Sequence, residues 1–328
     1  MIAADVHGKN HHQAGSFGQH VESIRLLNAE GEATNVSAEE APDLFRATMG
    51  GMGLTGVIES ARIRLAPCPS GTVEVREQRI PTLDAYLKAF GSSTATFQVG
   101  WIDATGKGAD LGRGVLEEAE FSAPGAPFVP PSSGSSVPVD APGFLLSGPV
   151  VRTFNGRYFR RIPAGGRTRT RPLAAFLFPL DSIGGWNKLF GKRGFHQFQC
   201  VLPPENAPEV LREMLTRIAD SGLAAPLAVL KRMGPGRAGP LSFPMEGYTL
   251  AVDFPNRPEA VELVRALNDR TAEAGGRIYL AKDSLAEPRH IAAMYPELDA
   301  FRAAVRAADT DGVFATDQAR RLDLRGTA

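Results

Sequence analysis

Apolar and polar residues follow their most regular pattern after residue 195. Residues 195–202 (FHQFQCVL) alternate, which predicts a strand with Gln197 and Gln199 on one face. Residues 205–221 set Val210, Leu211, Met214, Leu215 and Ile218 at helical spacing, and Gly222 is placed to stop the helix. Residues 226–233 and 247–254 read as strands. Residues 257–274 read as a helix, with Asn256 before it, Pro258 in its first turn and Gly275-Gly276 at its end. Residues 277–281 (RIYLA) form a last strand. The order strand, helix, strand, strand, helix, strand predicts a ferredoxin-like antiparallel sheet covered on one face by two helices. A further helix is expected over 296–307.

Earlier in the chain the periods are shorter. Residues 2–6 read as a buried strand running into a Gly- and His-rich loop, 7–18. Residues 20–28 alternate as a strand, Glu30-Gly31 makes a turn, and a second strand ends near Val36. A helix over 39–48 and a strand over 57–65 follow, and Pro67 and Pro69 close this block, with a domain boundary near residue 70. Residues 122–149, rich in Pro, Ser and Gly, read as a mobile surface loop. Residues 163–172 continue that character with alternating arginines. The dense basic run Arg167 to Arg171 fits a solvated loop as well as a partner site.

Composition narrows the function classes. The 328 residues suffice for two domains, and 43% hydrophobic residues can bury a sizeable core. Lys and Arg number 36 and Asp and Glu 36, a balance that argues against an electrostatic nucleic-acid binder. Two cysteines, Cys68 and Cys200, are too few for a disulfide framework or a cysteine zinc site. No apolar run reaches the about 18 residues that a membrane span needs. The first residues lack the basic start and apolar run of a signal peptide. A cytoplasmic location is expected, and association at a membrane periphery is compatible with it.

Three features carry candidate chemistry. The loop from Asp5 to Gly18 holds His7, His11 and His12 among Gly8, Gly15 and Gly18. It reads as a cofactor or phosphate cradle, as a metal site, or as a polar surface loop. The block Gly50-Gly51-Met52-Gly53-Leu54-Thr55-Gly56 precedes a strand, so it is neither a Rossmann fingerprint nor a P-loop, and it suits either a close backbone approach or a tight connection. Lys282 and Lys231 each end a strand. Each reads as a solvated lysine or as one held beside a cofactor, and the Gln197/Gln199 pair as sugar-binding amides or as half-exposed polar positions.

The segments HGKNHHQAGSFGQHV (7–21), MGGMGLTGVI (49–58), PLSFP (240–244), AVDFP (251–255), IYLAKDS (278–284) and FATDQARRLDL (314–324) occur in one order. In combination they resemble the decaprenylphosphoryl-ribose oxidase family, the flavoprotein half of an epimerase that makes an arabinose donor for the cell wall. That family lies within the vanillyl-alcohol-oxidase, PCMH-type FAD-binding superfamily, whose other members include aldonolactone and sugar-alcohol oxidases. The resemblance implies an α+β chain. Residues 1–70 would be the second half of an FAD-binding domain whose first half is absent, 71–300 a ferredoxin-like substrate domain, and 301–328 a segment packing back on the FAD domain. FAD contacts would fall on His7, Gly8, Asn10, Gly53, Gly56, Ile58 and Tyr279, the active-site lysine on Lys282, and substrate-pocket positions on Lys9, Gln197, Gln199, Lys231 and Ala251. The implied reaction oxidises the secondary hydroxyl of a sugar or lipid-linked sugar, with hydride passing to the flavin and a short-chain dehydrogenase/reductase as partner. The other readings are an aldonolactone or sugar-alcohol oxidase, and a truncated fragment acting only in binding. Ala251 stands where the family has a cysteine, and Leu177 and Met233 where it has aromatic residues.

Overall fold

The alternation after residue 195 is realised in the order it predicts. The computed structural model describes residues 1–130, 134–223 and 226–326. Strand β8 (Phe195–Leu202) leads into helix α6 (Ala207–Ser221), β9 (Ala228–Met233), β10 (Gly247–Pro255), α7 (Pro258–Glu273) and β11 (Arg277–Ile278). The spatial order is β11-β8-β10-β9, every pair antiparallel, which is the ferredoxin-like arrangement.

A second unit of the same order stands beside it, which the sequence reading left unassigned. It comprises β4 (Thr72–Ile80), α3 (Leu83–Ser92), β5 (Phe97–Ile102), β6 (Gly114–Phe121), α4 (Gly148–Arg160) and β7 (Arg167–Pro172). Its spatial order is β5-β6-β4-β7, and β5 pairs antiparallel with β9, so the two units form one eight-stranded sheet. Strand β7 corrects the expected loop over 163–172: backbone pairing with β4 from Thr72↔Pro172 to Glu77↔Arg167 fixes it as a strand. The stretch 122–149 is largely irregular as expected, with a 3₁₀ turn at Gly143–Leu146, although residues 131–133 of it lie outside the described residues.

The period of two sorts the sheet into two faces. Phe198, Cys200, Leu230, Leu250, Val252, Phe254, Leu116 and Ile102 point to α3, α6 and α7, forming the main core with Tyr86, Leu211 and Leu267. Burying side chains of this size contributes roughly 1.5–3 kcal/mol each. Gly100 is needed on this face, because a Cβ there would sit 2.7 Å from the Tyr86 ring. Helix α4 departs from a strict repeat by lying over the opposite face, where the Tyr158 ring packs 4.5 Å from that of Trp101. The short helix α5 (Leu173–Leu177) follows β7 on that side.

The N-terminal block forms a separate three-stranded sheet of order β2-β1-β3, from β1 (Val21–Leu27), β2 (Ala33–Ser37) and β3 (Val57–Ile63). Helices α1 (His11–Ala14) and α2 (Pro42–Thr48) belong to this block. Residues 2–6 are not a strand. Ile2–Ala4 form a 3₁₀ turn, because their carbonyls serve the glycine block, Gly50 N–H to Ile2 O at 3.0 Å and Met52 N–H to Ala3 O at 2.8 Å. The carboxylate of buried Asp5 accepts from Gly18 N–H at 2.8 Å and Ala238 N–H at 3.2 Å, tying this block to the large sheet. The last strand also ends early: Ile278 is followed by a 3₁₀ turn, Leu280–Lys282. Helices α8 (Pro288–Met294), α9 (Leu298–Ala308) and α10 (Asp317–Arg321) pack with Ala47, Leu54, Ile278 and Leu280 into a core that joins the glycine block to the end of β11.

Candidate active site

The face of the eight-stranded sheet opposite the main core is the floor of a cavity of about 820 Å³. Strand register builds that floor in rows. Gln199 faces Ala251, which faces Val229, which faces Trp101. One row along, Thr249 faces Lys231, and on the other side Asp253 faces Gln197. The alternation that sends Phe198, Leu230 and Leu250 into the core therefore sends Gln199, Lys231 and Ala251 into the cavity. The N-terminal loop closes over the same space with His7 and Lys9, and the 3₁₀ turn after β11 brings Tyr279 and Lys282.

Polar contacts fix these groups. His7 stands between two strands, its Nδ1 3.3 Å from Lys231 Nζ and its Nε2 3.1 Å from the Gln199 amide. Gln199 donates to Thr249 Oγ1 at 3.0 Å, and Gln197 donates to Asp253 Oδ1 at 2.6 Å. Asp253 Oδ2 is buried and without a hydrogen-bond partner among the described residues. The rings of His7, Tyr279 and Phe243 form an aromatic cluster, with Phe243 and Tyr279 stacked at 4.7 Å. Lys9 donates to the Phe176 carbonyl and lies 4.0 Å from the centre of its ring.

Burial perturbs His7, Lys9, Lys231, Asp253, Tyr279 and Lys282 together, a clustering characteristic of functional sites. Desolvation, reinforced by the neighbouring Lys282 and Lys9 ammonium groups, lowers Lys231 to about 7. Lys9 falls to about 8 for the same first reason, opposed by Glu117. Lys282 is also lowered by burial, with Asp253 opposing. Burial raises the Asp253 carboxyl to about 6. His7 is held well below its ordinary value by burial and by Lys231, so its imidazole is neutral at pH 7.

The structure thus brings Lys9, Gln197, Gln199, Lys231, Ala251 and Lys282 into one cavity with His7 and Tyr279. It does not bring all the expected cofactor residues there. Gly56 is buried at φ 142°, and a Cβ on it would sit 2.5 Å from Leu27 O, so this glycine serves close packing against β1. Ile58 pairs with Leu26 within the small sheet. Gly8 is exposed and Asn10 sits at the start of α1. Gly53, at φ 79°, faces open space, with nothing within 4 Å of where a Cβ would lie. The exposed backbone of Gly8, next to His7 in the chain, and the open space at Gly53 leave room for a flat ligand to approach, which fits a flavin. The histidines of the metal reading are used otherwise: His11 Nε2 lies 2.9 Å from Gly236 O and its Nδ1 accepts from Gly234 N–H, while His12 Nε2 lies 2.8 Å from Ala95 O.

Sequence reasoning missed several lining residues. Asp253 lay within a quoted motif but was not singled out, although strand alternation from Ala251 places it on the same face. Trp101, Glu117, Tyr158 and Arg161 come from the unit that went unassigned.

Comparison with known proteins supplies the class. No family model matches the chain. Over 98% of its length it is 38% identical to decaprenylphosphoryl-β-D-ribose oxidase of Mycolicibacterium smegmatis, covering 73% of that protein. An uncharacterized protein in the mprA 5′ region of Streptomyces coelicolor is 34% identical over 98% of this chain and 92% of its own length. A stretch of 80 residues, 24% of the chain and 14% of the relative, is 30% identical to D-arabinono-1,4-lactone oxidase of Candida albicans. The chain is an α+β oxidoreductase. It belongs to the decaprenylphosphoryl-ribose oxidase family.

Proposed function

We propose that this chain is an FAD-dependent oxidase acting on a secondary hydroxyl of a polyprenylphosphoryl sugar. The observation that carries this reading is the convergence of Lys9, Gln199, Lys231 and Lys282, from four separate segments, on the His7–Tyr279 cluster in one cavity. Residues 1–70 and 301–328 would belong to the FAD-binding part and 71–300 to the substrate domain. His7, Gly8, Asn10, Gly53 and Tyr279 would hold the flavin, and Gly56 and Ile58 would shape the small sheet beneath it. FAD, when bound, supplies the two-electron acceptor for the carbinol carbon. The protein's own part is orientation and proton handling. Gln197 and Gln199 would hold sugar hydroxyls through their amides. Lys282, whose neutral form is favoured by burial, would take the hydroxyl proton, with Asp253 near enough to stabilise the ammonium that results. The ketone would then pass to a partner reductase of the short-chain dehydrogenase type.

An aldonolactone oxidase is the second reading, supported by the short match to the Candida protein. Anaerobic mixing of the flavin-loaded protein with a polyprenylphosphoryl ribose or with arabinono-1,4-lactone separates the two. Loss of the visible flavin band with the lipid-linked sugar alone is the expected result. Bleaching by the lactone alone would overturn the proposal.

A further inference from the structure

Asp253 follows Ala251 by two residues on β10, so strand alternation carries it to the same cavity face, and register sets it opposite Gln197 on β8. Pairing of β10 with β9 ends one residue earlier, at Val252↔Ala228, which leaves Asp253 at the margin of the cavity floor. The residue is 1% exposed, yet only one of its carboxylate oxygens is engaged. Oδ1 accepts from the Gln197 amide at 2.6 Å, while Oδ2 has no hydrogen-bond partner among the described residues. Lys282 is near enough for the two charges to act on each other, but they form no ion pair among the described residues. A buried acceptor left open is costly until a donor reaches it. The same contact decides the state of Gln197. Its NH2 group is spent on Asp253, so its Oε1 is the end of the amide left to accept. Two acceptors therefore stand together at this margin of the cavity that Lys282 also lines.

We propose that Asp253 is a specificity-determining residue that reads a vicinal diol. Its Oδ2 accepts from the hydroxyl next to the one that is oxidised, and by fixing the Gln197 amide it makes that side chain a second acceptor. This rests on the oxidase reading above and adds to it the demand for a second, neighbouring hydroxyl. Burial raises the Asp253 carboxyl only to about 6, so at pH 7 it is mainly the carboxylate, which accepts and cannot donate. A substrate with hydrogen in place of the second hydroxyl leaves the buried oxygen unpaired, and a site built around such a contact discriminates strongly against that analogue.

Calorimetric titration with methyl β-D-ribofuranoside and with its 2-deoxy and 3-deoxy analogues reads this contact as binding, without flavin reduction or turnover. The diol should bind about tenfold or more tighter than at least one of the deoxy analogues. Asp253→Asn keeps the shape and can still accept from Gln197, but it turns an NH2 group to the place of Oδ2. It should weaken the diol about tenfold and leave that deoxy analogue unchanged, so that the difference between them disappears. A merely structural role for Asp253 would shift all three glycosides alike. Thermal melts report whether the variant is folded, and the discrimination shown by the unsubstituted protein is read independently of it. Equal binding of the three glycosides, no measurable binding of the diol, or discrimination retained in Asp253→Asn would overturn the proposal. Asp253-dependent discrimination in a protein whose flavin no sugar bleaches would sink the oxidase reading and leave the diol site standing. Bleaching by the lipid-linked sugar in a protein that binds the three glycosides equally would do the reverse.

Discussion

Lys231 occupies a position where a cation is costly. It projects from β9 into the cavity beside Lys282 and Lys9, and its pKa falls from 10.5 to about 7. Between those two values the unfolded chain holds the proton and the folded chain has released it, so this group makes stability rise with pH. Its penalty is complete below pH 7 and gone above about 10.5. Lys231→Met should therefore stabilise the protein at pH 6 by about 1–2 kcal/mol, a value reduced from the full linkage because the side chain is only part-buried. The gain should vanish by about pH 10.5, as thermal melts across that range would show, and sugar oxidation should be lost at every pH. Stabilisation that is the same at pH 6 and pH 10.5 would mean that packing, not charge, is responsible. Lys282→Ala is expected to lower turnover by about 10²–10⁴-fold while leaving the melting curve almost unchanged. Near-normal turnover would remove Lys282 from the chemistry.

Among the elements, β1 and β3 meet at Gly56 with no space for a side chain. Gly56→Ala should destabilise the protein by about 2–3 kcal/mol, because the new methyl meets a backbone carbonyl and the φ of 142° disfavours any L side chain. Urea unfolding would read this, and an unchanged midpoint would show that the small sheet yields. The two ferredoxin-like units differ in how much of each the pattern reveals. In β8, β9 and β10 the core-facing positions are large and apolar, so Phe198, Leu230 and Leu250 betray both the period and the face. In β7 the cavity-facing Arg167, Arg169 and Arg171 alternate with Thr168 and Thr170, and Glu77 and Glu117 interrupt the apolar positions of β4 and β6, so these strands look like surface chain. The charges on the cavity face thus hide the strands that display them. The ends of elements hid for another reason. Ile2–Ala4 and Leu280–Lys282 are apolar enough for strands, but Ile2 and Ala3 carbonyls accept from the distant Gly50 and Met52 N–H groups, and the Leu280 carbonyl accepts from the Gln318 side chain, which no local period encodes. Lys282, Lys231, Gln197 and Gln199 were legible only through motif resemblance together with strand alternation, and Asp253 shows that alternation alone would have extended the set.

Across the whole molecule, charge balance conceals a strongly cationic interior. Basic and acidic residues are equal in number, yet the cavity is lined by Lys9, Lys231, Lys282 and three arginines against only Glu117 and Asp253. Positive potential focused in a cleft favours anionic ligands and raises their encounter rate. Among the described residues no helix is long and apolar enough to cross a membrane. The apolar edge of the cavity reaches the surface at Phe154 and Ile183. The proposed oxidation depends on a flavin beside His7 and Tyr279. The most direct measurement is the visible absorbance of the purified chain after incubation with FAD and gel filtration. A flavin band co-eluting with the protein in near-stoichiometric amount is predicted. A colourless protein peak, with all the flavin in the small-molecule fraction, would contradict flavin-dependent oxidation by this chain.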